Sequence, residues 1–362
     1  MFDTALSTSI AILLPNLKFG GAEKVALSLA RALAAEGVQV EFLLMSRQGE
    51  FLEAAEREFP VVDLACRRTW QLPLKLMAYT LRRRPVAILS SFWKLNVCAC
   101  VARLAAPRTR LLLWEHSQPS RSANSPTLLY GFTSSILYRL STRVICVSSG
   151  VRDDILSITL GLRRKLSVIL NPIPPPVDAN VANRSMRTGR NVVWVGRLDE
   201  PKNPLLALES WALMAQQERP MLRFIGDGPL RSVLEDRCRE LGLAHCVEFL
   251  GFQPAPQQWM LTADVLLLTS NREGMGNVLV EALQCGLGIV VTDCNLAIRE
   301  LLDRERHGRI VPKGDARAVA TAVLAELAHP RLFEAQVSAA IPFEPRTVAL
   351  QFLSIVSNAR RV

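Results

Sequence analysis

The sequence predicts two α/β domains, each a parallel sheet covered by helices on both faces. Three observations carry that reading. Short apolar runs alternate with stretches of helical apolar spacing from Ile10 to Thr292. The alternation breaks once, at NPIPPPVD (Asn171–Asp178), whose prolines at 172, 174, 175 and 176 cannot sit inside a helix or a central strand. The 362 residues leave each side of that break enough chain to bury its own core. The expected domains are 1–172 and 173–344, followed by a terminal helical segment over 345–362.

The elements follow in order. Ile10–Pro15 reads as a strand, Gly20-Gly21 as a turn, and Ala22–Glu36 as a helix. Val38–Leu44, Val86–Ser90, Arg110–Trp114 and Arg143–Ser148 read as further strands, with an apolar helix over Thr127–Ser141. The polar stretch Ala179–Arg190 extends the proline-rich segment into a linker. The cycle restarts with a strand at Asn191–Val195. Helices follow over Leu205–Gln217 and Leu230–Leu241, and strands over Met221–Ile225, Val247–Leu250, Val265–Leu268 and Gly288–Thr292. Strands separated by helices pair in parallel, and ligands of such sheets bind beyond the strands' carboxyl ends. Two such domains are expected to face one another across a central cleft.

Composition narrows the class. Half the residues are apolar and a fifth are charged, as in ordinary globular proteins. The eight cysteines form no CxxC pair and no zinc-ligand spacing with histidine, so they read as structural thiols. Met1–Ser9 carries an acid and no basic residue, which argues against a signal segment. The longest greasy region, Pro85–Trp114, is broken by Lys94, Arg103, Arg108 and Arg110 and is not a membrane span. The net charge of +10 lies wholly in the first half: residues 1–170 hold 22 Lys+Arg against 12 Asp+Glu, and the remainder holds 21 of each. Such a face attracts anionic lipid or phosphorylated small molecules. No nucleic-acid motif accompanies it, so nucleic acid is not expected as a partner. A basic surface that serves solubility alone explains the charge as well.

Four stretches carry chemistry. In LLPNLKFGGAEK (Leu13–Lys24) a strand runs into a double glycine that opens a helix, where free amides and partial positive charge suit a phosphate. A tight turn accounts for it equally well. In VVWVGRLDEPKNP (Val192–Pro204), Arg197 and Lys202 follow a strand end and can clamp a diphosphate, or stand in a solvated loop. In NREGMGNVLVEALQCG (Asn271–Gly286), Glu273 and Glu281 flank a glycine-rich turn. Asn277 is expected to cap the next helix and Glu281 to lie in its first turn. A carboxylate accepts from two hydroxyls, so Glu281 suits a ribose diol and Glu273 a sugar hydroxyl; helix-end electrostatics alone would also favour acids here. In LLLWEHSQPS (Leu111–Ser120), His116 follows a strand end, as a sugar-facing donor or a structural residue.

Taken together and in order, these stretches resemble glycosyltransferase family 4. The likeness is carried by GGAEK (Gly20–Lys24), EHS (Glu115–Ser117), VSSGV (Val147–Val151), NPI (Asn171–Ile173), VGRLDEPKN (Val195–Asn203), FIGDGPLR (Phe224–Arg231), FLGF (Phe249–Phe252), NREGMGNVLVEAL (Asn271–Leu283) and HGRIVPKGD (His307–Asp315). The resemblance implies a GT-B fold and a retaining transfer from a nucleotide sugar, with a UDP-sugar favoured over a GDP-sugar. It implies that Arg197 and Lys202 hold the diphosphate, Glu281 the ribose and Glu273 the donor sugar. The amides of Gly274, Met275, Gly276 and Asn277 would line the sugar pocket, with Val278 beside them. Gly21 would approach the phosphates, His116 the reacting carbon, and Phe249–Phe252 the base, with Phe252 in contact. The implied catalytic set is His116, Glu273, Arg197 and Lys202, and no metal or other cofactor is expected. Met275 departs from the aromatic residue that many members carry there.

The same resemblance implies that the terminal segment Pro345–Arg360 crosses back onto the first domain. It implies a glycan or polyprenyl-diphosphate-linked acceptor, used in bacterial surface-polysaccharide or lipopolysaccharide assembly. The protein would work in the cytoplasm at the inner face of the membrane, and LPLKLMAYTLRRR (Leu72–Arg84) could lie on an anionic membrane surface. Two other readings predict different behaviour. A nucleotide-sugar 2-epimerase of the same fold would convert the donor without an acceptor, and a non-catalytic binding protein would bind it without turnover.

Overall fold

A computed structural model of the chain describes residues 9–18, 20–121, 126–176, 190–303 and 305–358. It divides into two compact units, 1–174 with 343–362, and 175–342.

The first unit is built on a seven-stranded sheet, β1 (Ser9–Leu14), β2 (Gln39–Leu44), β3 (Val61–Asp63), β4 (Ala87–Ser91), β5 (Arg110–Glu115), β6 (Arg143–Cys146) and β7 (Leu166–Val168). Every pairing is parallel, in the order β3-β2-β1-β4-β5-β6-β7. Its helices are α1 (Gly21–Ala35), α2 (Leu52–Glu58), α3 (Leu72–Arg83), α4 (Trp93–Arg103), α5 (Thr127–Leu137) and α6 (Ser149–Ile158). The central strands are buried on both faces, as a sheet sandwiched by helices requires.

The second unit repeats the plan with six parallel strands, β8 (Asn191–Val195), β9 (Met221–Ile225), β10 (Val247–Gly251), β11 (Val265–Leu268), β12 (Gly288–Thr292) and β13 (Arg309–Val311), ordered β10-β9-β8-β11-β12-β13. Its helices are α7 (Pro204–Ala212), α8 (Arg231–Glu240), α9 (Gln257–Leu261), α10 (Asn277–Gln284), α11 (Leu296–Leu301), α12 (Ala316–Ala328) and α13 (Phe333–Ala340). One core cluster gathers Trp194, Trp211, Phe224 and Val290 with Val319 and Val323. In both sheets the strand order reverses beside the first strand of the unit, the position where α/β sheets bind ligands.

The last helix, α14 (Pro345–Asn358), belongs to the first unit. Val348, Ala349, Phe352 and Val356 form its buried face, and the Phe352 ring packs edge-on to Trp114 at 5.4 Å. The Ile173 N–H donates to the Phe343 carbonyl at 2.9 Å, tying the outgoing and returning segments together. The linker expected over 171–190 is described only to Pro176 and from Arg190; the rest lies outside the described residues.

Several elements end earlier than their apolar spacing predicts. The helix expected over Leu205–Gln217 stops at Ala212, because the Arg219 Nε donates to the carbonyls of Trp211 and Met214 at 3.1 and 3.2 Å and closes the turn. The helix expected over Thr127–Ser141 gives way after Leu137 to a tighter turn that Ser141 closes on the Tyr138 carbonyl. The edge strands β3, β7 and β13 went unforeseen: at three residues each they are too short to show alternation.

Candidate functional site

In the second unit the candidate residues gather beyond the carboxyl ends of β8, β11 and β12. The loop after β8 lies directly on the loop after β9. Gly196 N–H donates to the Ile225 carbonyl at 3.0 Å and Leu198 N–H to the Asp227 carbonyl at 3.0 Å. This approach needs glycine. Gly226 has φ +142°, and a Cβ there would stand 1.9 Å from the Gly196 oxygen; one on Gly228 would stand 2.5 Å from the Leu198 oxygen. The glycines of FIGDG therefore seat the loop that carries Arg197. Asp199 accepts from the Lys202 N–H at 3.3 Å and caps the short turn that aims Lys202.

Lys202 Nζ meets Glu273 Oε1 at 2.5 Å, and Ser270 Oγ donates to the same oxygen at 2.7 Å. The carboxylate side chain is only 8% exposed, so these partners offset its desolvation. The backbone under it is held too: Asn295 Nδ2 donates to the Glu273 carbonyl at 2.6 Å and the Gly274 carbonyl at 3.3 Å, while its Oδ1 accepts from Ile298 and caps α11. Behind them, Trp194 Nε1 donates to Thr269 Oγ1 at 2.9 Å, and that hydroxyl donates to the Asn203 carbonyl at 2.7 Å. Burial, assisted by the Glu273 charge, pushes the Cys294 thiol up to about 12, so it is an inert neighbour. Arg197 stands exposed, its Nε 3.6 Å from Asp199 Oδ2.

Helix α10 opens on Gly276, whose left-handed backbone (φ 78°, ψ 59°) turns the chain into the first helical residue. No side chain caps this helix. Asn277 is therefore not the cap the sequence predicts but the first helical residue, and the Leu279 N–H of that turn donates to the Gly276 carbonyl at 2.9 Å. Glu281 stands in the second turn rather than the first, and it is buried. Met275 is buried, while Gly274 and Val278 are half-buried. Phe249 stacks on Phe224 at 5.0 Å, and Phe252 is 49% exposed.

In the first unit, Gly21 is the first residue of α1, beyond the end of β1. The Glu23 carboxyl reaches back so far that a Cβ on Gly20 would stand 2.1 Å from its Oε2, and burial raises its pKa. His116 follows β5 directly. Its Nε2 lies 3.3 Å from Ser91 Oγ at the end of β4, and its ring sits 4.5 Å from Trp114 and 5.7 Å from Phe92. This apolar setting pushes its pKa from 6.5 down to about 3. The imidazole is neutral at physiological pH and offers one N–H and one lone pair. Beneath it Glu115 is buried, with Asn96 Nδ2 donating to it at 2.9 Å and the Tyr138 hydroxyl also donating. Desolvation holds the Glu115 pKa above the usual carboxylate value despite those donors.

The structure thus joins Lys202 to Glu273, residues assigned from sequence to different parts of the donor. Ser270, Asn295 and Thr269 were missed. All three follow the carboxyl ends of β11 or β12, so the strand-end rule that singled out Arg197 reaches them once those ends are known. Among the described residues no group of three or more His, Cys, Asp or Glu side chains is placed to hold a metal ion.

Comparison with known proteins agrees with this geometry. Residues 19–176 match the family model for Glycosyltransferase Family 4, and residues 189–329 match that for Glycosyl transferases group 1. An N-acetylgalactosaminyltransferase of Campylobacter jejuni, whose name specifies a diphospho-undecaprenol acceptor, is 27% identical over 322 residues, 83% of this chain and 85% of that protein. The lipopolysaccharide core biosynthesis glycosyltransferase LpsE of Rhizobium meliloti is 27% identical over 326 residues, 84% and 85% of the two chains. Among solved structures, Anabaena HepE in complex with UDP superimposes with a TM-score of 0.80 at 21% identity, covering 97% of this chain and 100% of that one. The lipopolysaccharide outer core galactosyltransferase WaaB gives 0.75 at 18%, covering 97% and 99%. Two Rossmann-like parallel-sheet units of this kind define the GT-B class of glycosyltransferases. The chain belongs to glycosyltransferase family 4, with a group 1 domain as its second half.

Proposed function

We propose that this glycosyltransferase takes a UDP-sugar and transfers the sugar, with retention at the anomeric carbon, to a lipid-borne glycan acceptor of bacterial surface-polysaccharide or lipopolysaccharide assembly. The observation that carries it is the constellation beyond β8 and β11. It brings the exposed Arg197, the Lys202–Glu273 pair, the glycine-opened start of α10 and the buried Glu281 on that helix to the carboxyl-end side of one sheet.

Each part has a task. Arg197 and the opening amides of α10 meet the diphosphate, whose charge grows as the sugar leaves. Lys202 reaches the same diphosphate while holding Glu273 in place. Glu273 keeps lone pairs for the donor sugar's hydroxyls, and Glu281 accepts from the ribose diol. Phe252 gives the base an apolar face. His116, kept neutral, donates to a sugar oxygen without adding a fixed charge, and Gly21 leaves room for the phosphates. The departing phosphate oxygen takes the acceptor proton, so no dedicated base is assigned. Since these cations and amides supply the positive charge, turnover is expected to withstand chelation of divalent metal ions.

The acceptor reading rests on the Campylobacter and Rhizobium relatives and on the basic first half. We further propose that the enzyme works at the inner, anionic surface of the cytoplasmic membrane. Among the described residues no helix is long and apolar enough to cross a membrane.

The test is thermal stabilisation by a panel of UDP- and GDP-sugars, on the wild type, Glu281→Gln and Glu281→Ala. Stabilisation by one UDP-sugar, weakened by both substitutions, is expected. No response to any nucleotide sugar overturns the reading. Conversion of the donor without an acceptor would favour an epimerase, and binding without turnover a non-catalytic protein.

A further inference from the structure

We propose that the outer face of α5 in the first unit is the surface by which the protein seats on an anionic lipid bilayer. This rests on the reading of the chain as a transferase with a lipid-borne acceptor, and it names the contact.

The face is inverted relative to an ordinary surface helix. The side of α5 turned inward carries Tyr130, Gly131 and Ser134, and Tyr138 continues that line just beyond its end. The side turned to solvent carries Leu128, Leu129, Phe132 and Ile136, exposed by 91, 49, 69 and 53%. Residues 128, 132 and 136 are four apart and form one row along the helix. A globular protein in water places its apolar stripe the other way. The inward side is polar for a stated reason, since Tyr138 donates to the buried Glu115. Among the described residues of the unit nothing explains the outward leucines and phenylalanine, and a contiguous apolar row of this kind marks a contact surface.

Charge at the end of the row identifies the occupant. Just past α5, Arg139 reaches the Leu160 carbonyl at 3.4 Å, and Leu160 is itself 77% exposed. The Leu160 N–H is bound to Ser135 of α5 at 2.9 Å, which places this leucine beside the row. Arg163 and Arg164 follow, both exposed. The acids of the neighbouring α6 are engaged, Asp153 with Arg152 and Asp154 as acceptor from Ser120, and Glu115 beneath α5 is buried. An apolar row for the acyl boundary with arginines for phosphate headgroups is the pattern of an interfacial helix. At 11 residues α5 is too short to span a bilayer, so it lies along the surface.

The test is sedimentation of the full-length protein with vesicles of phosphatidylcholine alone and of phosphatidylcholine mixed with phosphatidylglycerol. The wild type is expected to pellet with the anionic vesicles and to do so several-fold less with the neutral ones. Leu128→Glu with Phe132→Glu is expected to weaken partitioning by about tenfold or more, and Arg163→Glu with Arg164→Glu to abolish the preference for anionic lipid. Leu213→Glu, at an exposed position in the second unit, is expected to leave partitioning unchanged. Unchanged melting temperatures show that the variants fold, and Leu128→Ser with Phe132→Ser repeats the test without added charge. Full partitioning by both α5 double variants overturns the proposal. So does a wild-type dimer that these variants dissociate, since the row would then belong to a second copy. A chain stabilised by a UDP-sugar that ignores vesicles refutes this surface alone; a chain that no nucleotide sugar stabilises refutes the transferase reading beneath it.

Discussion

The Lys202–Glu273 pair shows how one side-chain contact ties stability to chemistry. Removing the ammonium leaves a carboxylate that is 8% exposed with Ser270 as its remaining side-chain donor. Lys202→Met is therefore expected to lower stability by about 1–3 kcal/mol and turnover by about 100-fold. Denaturant unfolding and steady-state kinetics separate the two effects, and an unimpaired enzyme would show the pair to be ornamental. His116 gives a pH-dependent counterpart. Its pKa falls from 6.5 to about 3 on folding, so the unfolded chain binds a proton that the folded one refuses. Its contribution is present in full above pH 6.5 and is lost as pH drops from 6.5 toward 3. His116→Gln is expected to flatten the decline of melting temperature over the upper part of that window; an unchanged slope would mean the ring is solvated.

At the scale of elements, two loops and a helix start decide the donor half-site. The loop after β8 rests on the loop after β9 because Gly226 and Gly228 present no side chain to it. Gly226→Ala meets both a φ of +142° and a carbonyl 1.9 Å from the new Cβ, so the Arg197 loop must move. Donor affinity is expected to fall by about tenfold with a loss of about 2–4 kcal/mol of stability, read by calorimetric titration and unfolding. Retained affinity would detach Arg197 from the donor. Here the limits of sequence reading are physical. FIGDGPLR was recognisable only by resemblance, since the contact that makes its glycines necessary joins segments about thirty residues apart. Asn277 was misplaced for a related reason. An asparagine before an apolar run has the chemistry of a cap, but the left-handed Gly276 takes that position and moves the helix start by one residue.

At the scale of the whole molecule, the chain's order and its folding units differ. The last helix completes the first unit through Phe352 against Trp114 and the Arg346–Glu36 ion pair. Deleting residues 345–362 is expected to lower the unfolding temperature of the first unit while leaving donor-induced stabilisation of the second unit intact. Calorimetry with and without a UDP-sugar tests this. Loss of the donor effect would make the two units a single cooperative structure.

The sequence by itself determined the two-sheet α/β class, most strand positions, the basic first half and the short stretches that carry the family likeness. Those are local quantities, since periodicity, turn chemistry and charge are written in neighbouring residues. The tertiary structure decided what depends on distant segments meeting. It paired Lys202 with Glu273, placed Asn295 under the Glu273 backbone, set the half-buried His116 against Trp114 and Phe92, where its pKa is lowered, and turned the apolar row of α5 outward. Each of these is set by which residues share a low-dielectric neighbourhood, and burial and partnership come into being only when the chain has folded.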